Sequence, residues 1–218
     1  MTRKDPAQST TSAPHIAARL EDEILLGNRF PRERLVEDQL MAEFSANRYE
    51  TRKALQILVD RGLAERRKNA GAFVRSFTER EVHELYHLRI LLETACIHAI
   101  QPPVEVKAIE HLKRIQREHD AAVAERCLRR VIDSNIRFHQ ELFRLSANRM
   151  LTAAVERYAR MSYVIRSAPF KTDSALLRSQ REHWQMIELL ETGETDSLAK
   201  LCEQHLIPSR DMYLNNLF

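Results

Sequence analysis

Glycine is scarce in this chain, with four residues in 218, and cysteine is scarcer still, with three. Cys96, Cys127 and Cys202 are odd in number, far apart and without a CxxC pair. That excludes a disulfide framework and a thiolate zinc knuckle, and it fits a reducing cytoplasm. Long apolar runs are missing too. Ala54 to Val59, interrupted by Gln56, falls far short of the roughly 18 residues of a membrane span, so no membrane role is expected. Met1 to Pro14 lacks the apolar stretch of a signal peptide and is polar and Ser/Thr-rich, so it reads as a short disordered arm.

What the chain does have is unevenly spread. The net charge of +3 names no partner by itself, but residues 1–78 hold 14 Lys/Arg against 11 Asp/Glu, while the remainder is balanced at 20 against 20. Three of the four glycines precede residue 78, and eight of the nine histidines follow it. Two domains of different chemistry are expected, 15–77 and 78–218, with Thr78 and Glu81 forming a T-x-x-E capping box that opens the second.

The first domain has the order of a winged helix-turn-helix. Ile16, Leu20 and Ile24 form a helical stripe ending at Gly27, and Pro31 to Arg34 form a polar turn. Leu35 to Phe44 reads as a second helix. Asn47, with Glu50 three positions on, caps a third through Ala54, Leu55 and Leu58. Gly62 stops it, and Leu63 to Ala64 and Ala72 to Val74 read as two strands around a basic tip. The third helix begins with Asn47 and Arg48 and carries Arg52 and Lys53, donors suited to base edges and phosphates in a major groove. Arg66, Arg67 and Lys68 at the tip suit the phosphate backbone or the minor groove. Arg34 and Gly71 complete the expected DNA-binding set. An isolated basic helix is more often only a solvated face; here turn, cap, basic helix and basic wing occur in order.

Ile24, Gly27, Phe30, Pro31, Leu35, Glu37, Leu40, Arg48, Arg52, Ala54, Leu55, Leu58, Gly62, Leu63, Gly71 and Val74 together resemble the DNA-binding domain of GntR-family bacterial transcription regulators. The resemblance implies that the helix from Asn47 to Leu58 reads operator bases through Arg48 and Arg52. Arg32 stands where that family often has a glycine, and Tyr49 and Glu50 replace a small residue and a proline.

From Thr78 onward there is a single glycine, Gly193, and helical stripes recur, so the fold class is mainly α, a winged domain followed by an all-α bundle. About six helices are expected: 79–100, 104–122, 125–147, 149–168, 174–192 and 195–217, the last with a kink at Pro208. Asn135 and His139 share a stripe with Ile132, Ile136 and Phe143; His183 shares one with Met186, Ile187 and Leu190; His205 shares one with Leu198, Leu201 and Cys202. Three inward histidines are either satisfied core residues or the nitrogen ligands that zinc or nickel would take. Arg89 lies on the stripe of Leu85, Leu92 and Cys96 with Glu93 one turn on, as a structural ion pair or as part of an anion site. His83 and His87 read as surface residues, and His15, His98, His111 and His119 carry no signal.

Asn135 to Leu142, then Ser146 to Asn148, His183 and His205, resemble the FCD effector domain of the FadR subfamily, with its D-x-x-F-H, G-N, H and H pattern. The resemblance implies a divalent metal held by His139, His183 and His205 with Asn135 in the aspartate position, a small carboxylate completing its coordination, and an anion-binding role for Arg89 with Glu93. Ala147 stands for the glycine. The expected function is that of a cytoplasmic, homodimeric transcription regulator, a repressor by family analogy, binding a double-stranded DNA operator and a small anionic metabolite. Two alternatives stay open: a metal-dependent enzyme on the histidine cluster, disfavoured by the lack of HExxH and of a placed general base, and a DNA-binding protein that senses nothing.

Overall fold

The computed structural model describes residues 11–166 and 172–215. The chain divides into two compact units, Met1–Ser76 and Phe77–Phe218. Of the arm expected over 1–14, residues 1–10 lie outside the described residues, and Ala13 and Pro14 already belong to the first helix.

In the first unit, α1 (Ala13–Leu25) starts with Pro14 in its first turn, where a missing N–H costs nothing, and buries Ile16, Leu20 and Ile24 completely. One element was not expected. Arg34–Leu35 is a strand, β1, where the sequence reads as a turn and the start of a helix; α2 therefore begins only at Glu37 and runs to Phe44. Arg34 and Leu35 pair with Phe73 and Ala72, so the wing is a three-stranded antiparallel sheet ordered β1-β3-β2, with β2 at Ala64–Arg67 and β3 at Gly71–Val74. Edge pairing satisfies backbone groups that a polar turn would leave to water, and it buries Leu35.

Between α2 and α3 (Arg48–Asp60), Ser45 turns left-handed (φ 49°) and Asn47 caps α3, its Oδ1 accepting from the Glu50 N–H at 2.9 Å. The capping box expected from Asn47 and Glu50 is only half made. The Glu50 carboxylate instead accepts from the Ala13 N–H at 2.5 Å, capping α1 and tying the starts of two helices together.

The second unit is all-helical among its described residues: α4 (Glu79–His98), α5 (Val106–Ala124), α6 (Leu128–Arg144), α7 (Arg149–Met161), α8 (Tyr163–Arg166), α9 (Asp173–Thr192) and α10 (Thr195–Asn215). The capping box of Thr78 and Glu81 is fully formed. Its core joins α4, α5, α6, α9 and α10 through residues such as Ile97, Leu112, Phe138, Met186 and Leu198. The single helix expected over 149–168 is broken at Ser162, and residues 167–168 lie outside the described residues, as do 216–217 at the end of the last expected helix. No glycine or proline marks that break. The buried Ser162 hydroxyl donates to the Ala159 carbonyl and accepts from Arg89, so tertiary contact ends the helix. α10 continues through Pro208.

Two turns in this unit use left-handed residues other than glycine, Arg126 (φ 53°) and Ala147 (φ 54°). Ala147 is exposed and occupies the place of the glycine in the G-N pattern, so its Cβ clashes with its own backbone for no packing return. Ala147→Gly is expected to stabilise the protein by about 0.5–1 kcal/mol, the left-handed penalty less the extra freedom of glycine in the unfolded chain. Urea denaturation at constant m-value checks this; a lower midpoint would contradict it.

Candidate functional site

The chemistry of the first unit lies on the exposed end of α3 and on the wing. Arg48, Arg52 and Lys53 all face solvent. Neither arginine is idle: Arg48 Nη2 lies 2.8 Å from Asp38 Oδ1, and Arg52 Nε donates to both oxygens of Glu37 at 3.1 Å. Exposed pairs of this kind are worth about 0–1 kcal/mol, so phosphate or guanine can displace them. Lys53 sits 5.8 Å from the Tyr49 ring, which is itself 69% exposed. Asn47 spends its side-chain oxygen on the cap.

On the wing, Arg67 lies 4.4 Å over the Phe73 ring and pairs with Glu65, which stiffens the base of the tip that carries Lys68. Gly71 (φ 96°) opens β3 opposite Arg67, and the Arg34 guanidinium passes 3.9 Å from where a Cβ on Gly71 would stand. The expected DNA-binding residues therefore divide between the start of α3 and the wing. Sequence reading missed Glu37 and Asp38, whose signal was two acids opening α2 just before two arginines opening α3.

In the second unit, His139 from α6, His183 from α9 and His205 from α10 converge. Their ligand atoms lie within 4.8 Å of one another. His139 Nε2 is 3.2 Å from His205 Nε2 and 3.3 Å from His183 Nε2. Nitrogens bound at about 2.0–2.1 Å to a tetrahedral ion stand about 3.3–3.4 Å apart, so these two spacings fit one metal. The outer nitrogens are fixed from behind. His183 Nδ1 donates to Gln116 Oε1 at 2.8 Å, and His205 Nδ1 donates to Glu182 Oε2 at 2.5 Å. An amide oxygen and a carboxylate only accept, so both rings carry a proton on Nδ1 and aim Nε2 inward.

Burial holds His139 and His183 well below the usual histidine range, aided for His139 by His205 and for His183 by His139, so both are ready as neutral ligands. Phe138 stacks on the His183 ring at 4.2 Å.

Beside the cluster is a cavity of about 100 Å³, room for several waters or a small organic acid, lined by Asn135, His139, His205, Arg89, Glu93 and Arg166 among others. Asn135, one turn before His139, is buried with its Nδ2 lacking a hydrogen-bond partner, a donor left for a ligand. Arg89 and Glu93 are brought to the same cavity. Their side chains are about 95% buried and paired at 2.8 Å, with Arg89 Nη1 also donating to Ser162 at 3.1 Å.

Sequence reading missed His119, buried within 5.3 Å of the His183 ring and held at Nδ1 by Ser134, together with Gln116, Asp120, Glu182 and Ser162. His83 and His87 are exposed.

These two sites match family models along the chain. Residues 13–74 match the model described as bacterial regulatory proteins, gntR family, and residues 84–207 match the FCD domain. The chain belongs to the GntR family of bacterial transcription regulators, with an FCD domain; family and structural neighbours are regulators, not enzymes. It is 26% identical over 170 residues to the HTH-type transcriptional regulator YdhC of Bacillus subtilis, covering 78% of this chain and 76% of that one. The winged region is 42% identical over 60 residues to the gluconate operon transcriptional repressor of Bacillus licheniformis, covering 28% of this chain and 24% of that one. A GntR transcriptional regulator from Rhodococcus sp. RHA1 shares the fold, with a TM-score of 0.78 at 22% identity over 93% of this chain and 97% of that one. No helix among the described residues is long and apolar enough to cross a membrane.

Proposed function

We propose that this regulator is a cytoplasmic, homodimeric repressor whose operator binding responds to a small carboxylate held in the helical unit at a zinc or nickel ion. The observation that carries the reading is the meeting of three histidine Nε2 atoms at the wall of a cavity that also holds a buried arginine and an unpartnered amide donor. His139, His183 and His205 would hold the ion with Asn135 in the fourth place, and the Asn135 Nδ2 and Arg89 would be offered to the anion. The ion would supply a positive centre on which a carboxylate can be captured. Arg89 Nη1 reaches Ser162 at the break between α7 and α8, so an anion that draws on this guanidinium bears on how those helices end. The repressor assignment is supported by the kinship of the winged region to a named repressor. A two-fold dimer would match two half-sites of a palindromic operator.

Gel-shift on the DNA upstream of its own gene, with zinc present and a panel of small carboxylic acids, tests the reading. A shift released by one acid is expected, and a shift indifferent to every acid and to metal would favour a DNA-binding protein that senses nothing. In the same assay Arg52→Ala is expected to cost about 1–3 kcal/mol, the worth of a bidentate guanine contact. Arg67→Ala or Lys68→Ala should weaken all DNA alike and flatten the salt slope by roughly one unit each. A sequence-selective loss at the wing would contradict a backbone role.

A further inference from the structure

Three imidazoles and an amide carry no negative charge, so a divalent ion among them would keep its full +2 unless charge is supplied from outside the ligand set. Among the described residues one carboxylate touches a ligand ring. Glu182 belongs to α9, next to His183 in sequence, but its Oε2 crosses to His205 of α10 and accepts the Nδ1 proton at 2.5 Å; its other oxygen lies 3.5 Å from Arg178 Nε. Its side chain is 17% exposed and that of His205 14%, so water screens the pair little. The equivalent place behind His183 is filled by the neutral amide of Gln116, whose Nε2 is tied to Asp120 Oδ1 at 2.8 Å, so the charge on that side stands one residue further back. Glu93 faces the same cavity but is already paired with Arg89.

We infer that Glu182 is a positioning residue that moves the site's compensating negative charge from position 135 to the far side of His205, fixing the ring's tautomer and making its Nε2 a stronger donor to a divalent cation. The inference rests on the metal reading above. An ionised carboxylate behind a ligating histidine orients the ring and raises its basicity, and losing such a partner commonly weakens metal binding by about 10- to 100-fold. Because the charge sits outside the ligand set, the face of the ion toward the cavity stays open to an anion, which a carboxylate at position 135 would oppose.

The test uses the full chain stripped of metal, with zinc affinity read by competition with a chromophoric chelator. Glu182→Gln keeps an oxygen for the Nδ1 proton and removes only the charge, and it is expected to weaken zinc about 10- to 100-fold. Adding Asn135→Asp should restore most of that loss, and its gain should be larger in the Glu182→Gln background than in the wild type, since one compensating charge makes the second less valuable. Equal gains in both backgrounds, or a Glu182→Gln affinity within twofold of wild type, would overturn the inference while leaving the metal site standing. Wild-type protein that takes up neither zinc nor nickel would overturn the metal reading and this inference with it. Nitrogen-15 shifts of the metal-free wild type give a readout independent of any variant's folding: His205 is expected with a proton on Nδ1, and an Nδ1 without a proton contradicts the geometry.

Discussion

Glu93→Ala is expected to destabilise the helical unit by about 3–5 kcal/mol, the cost of leaving a guanidinium buried without its counter-ion. Both side chains of the pair are about 95% buried, and once the carboxylate is gone Arg89 keeps the Ser162 hydroxyl and the Tyr86 ring 5.2 Å away, neither of which carries a counter-charge. Removing both charges is a different matter. Arg89→Met with Glu93→Leu replaces the pair by apolar chains of similar length and should cost far less than the single change, because neither desolvated charge remains. Hydrogen exchange of the α4 amides measures both. A loss below about 1 kcal/mol in Glu93→Ala would mean that the arginine finds other neutralisation within the cavity, and the double variant should in any case lose its response to an anionic effector.

Zinc in excess should raise the melting temperature of metal-free protein by about 8–16 °C. At a concentration about 1,000 times the dissociation constant, binding to the folded state alone adds about 4.1 kcal/mol, and each kcal/mol moves Tm by about 2–4 °C in a chain of this size. His139→Ala should abolish the increment, since His139 is the ring that meets both others. With His139 and His183 held well below the ordinary histidine range by burial, protons do not compete for these two ligands near neutral pH, and the increment should be nearly constant from pH 7 to 8. Scanning calorimetry with and without zinc checks it; an unchanged Tm would remove the ion from the functional reading.

The histidine site was legible where one helix face was enough to see it. His139, His183 and His205 each sit on an apolar stripe, and a stripe with period 3.6 states which way a side chain points. What stands behind those rings was not legible. Gln116 and His119 lie in α5, and nothing in local spacing says that α5 packs on α6 and α9 so that an amide oxygen meets His183. His119, given no role from sequence, is wholly buried for the same reason.

Local chemistry likewise reached only part of the fold. The Thr78 box is written in four residues and forms as written, whereas Glu50, spaced for the same purpose, is captured by Ala13, 37 positions away. A strand of two residues has no alternation to detect, so β1 was hidden until β3 paired with it. Arg32, a departure from the family pattern, turns out to keep the left-handed turn that glycine would have made easy, with φ at 67° and its N–H donating to the Val74 carbonyl.

The protein has one tryptophan, and the fold has placed it usefully for an observer. Trp184 is 36% exposed and donates its indole N–H to Asp120 Oδ2 at 2.9 Å; Asp120 also accepts from Gln116, which accepts from His183. Its fluorescence therefore comes from a single address, three hydrogen bonds from a ring of the histidine cluster. A half-exposed indole is sensitive to the field and hydration around it, so the colour and intensity of that emission form a built-in optical gauge of the helical unit, readable without label or added probe.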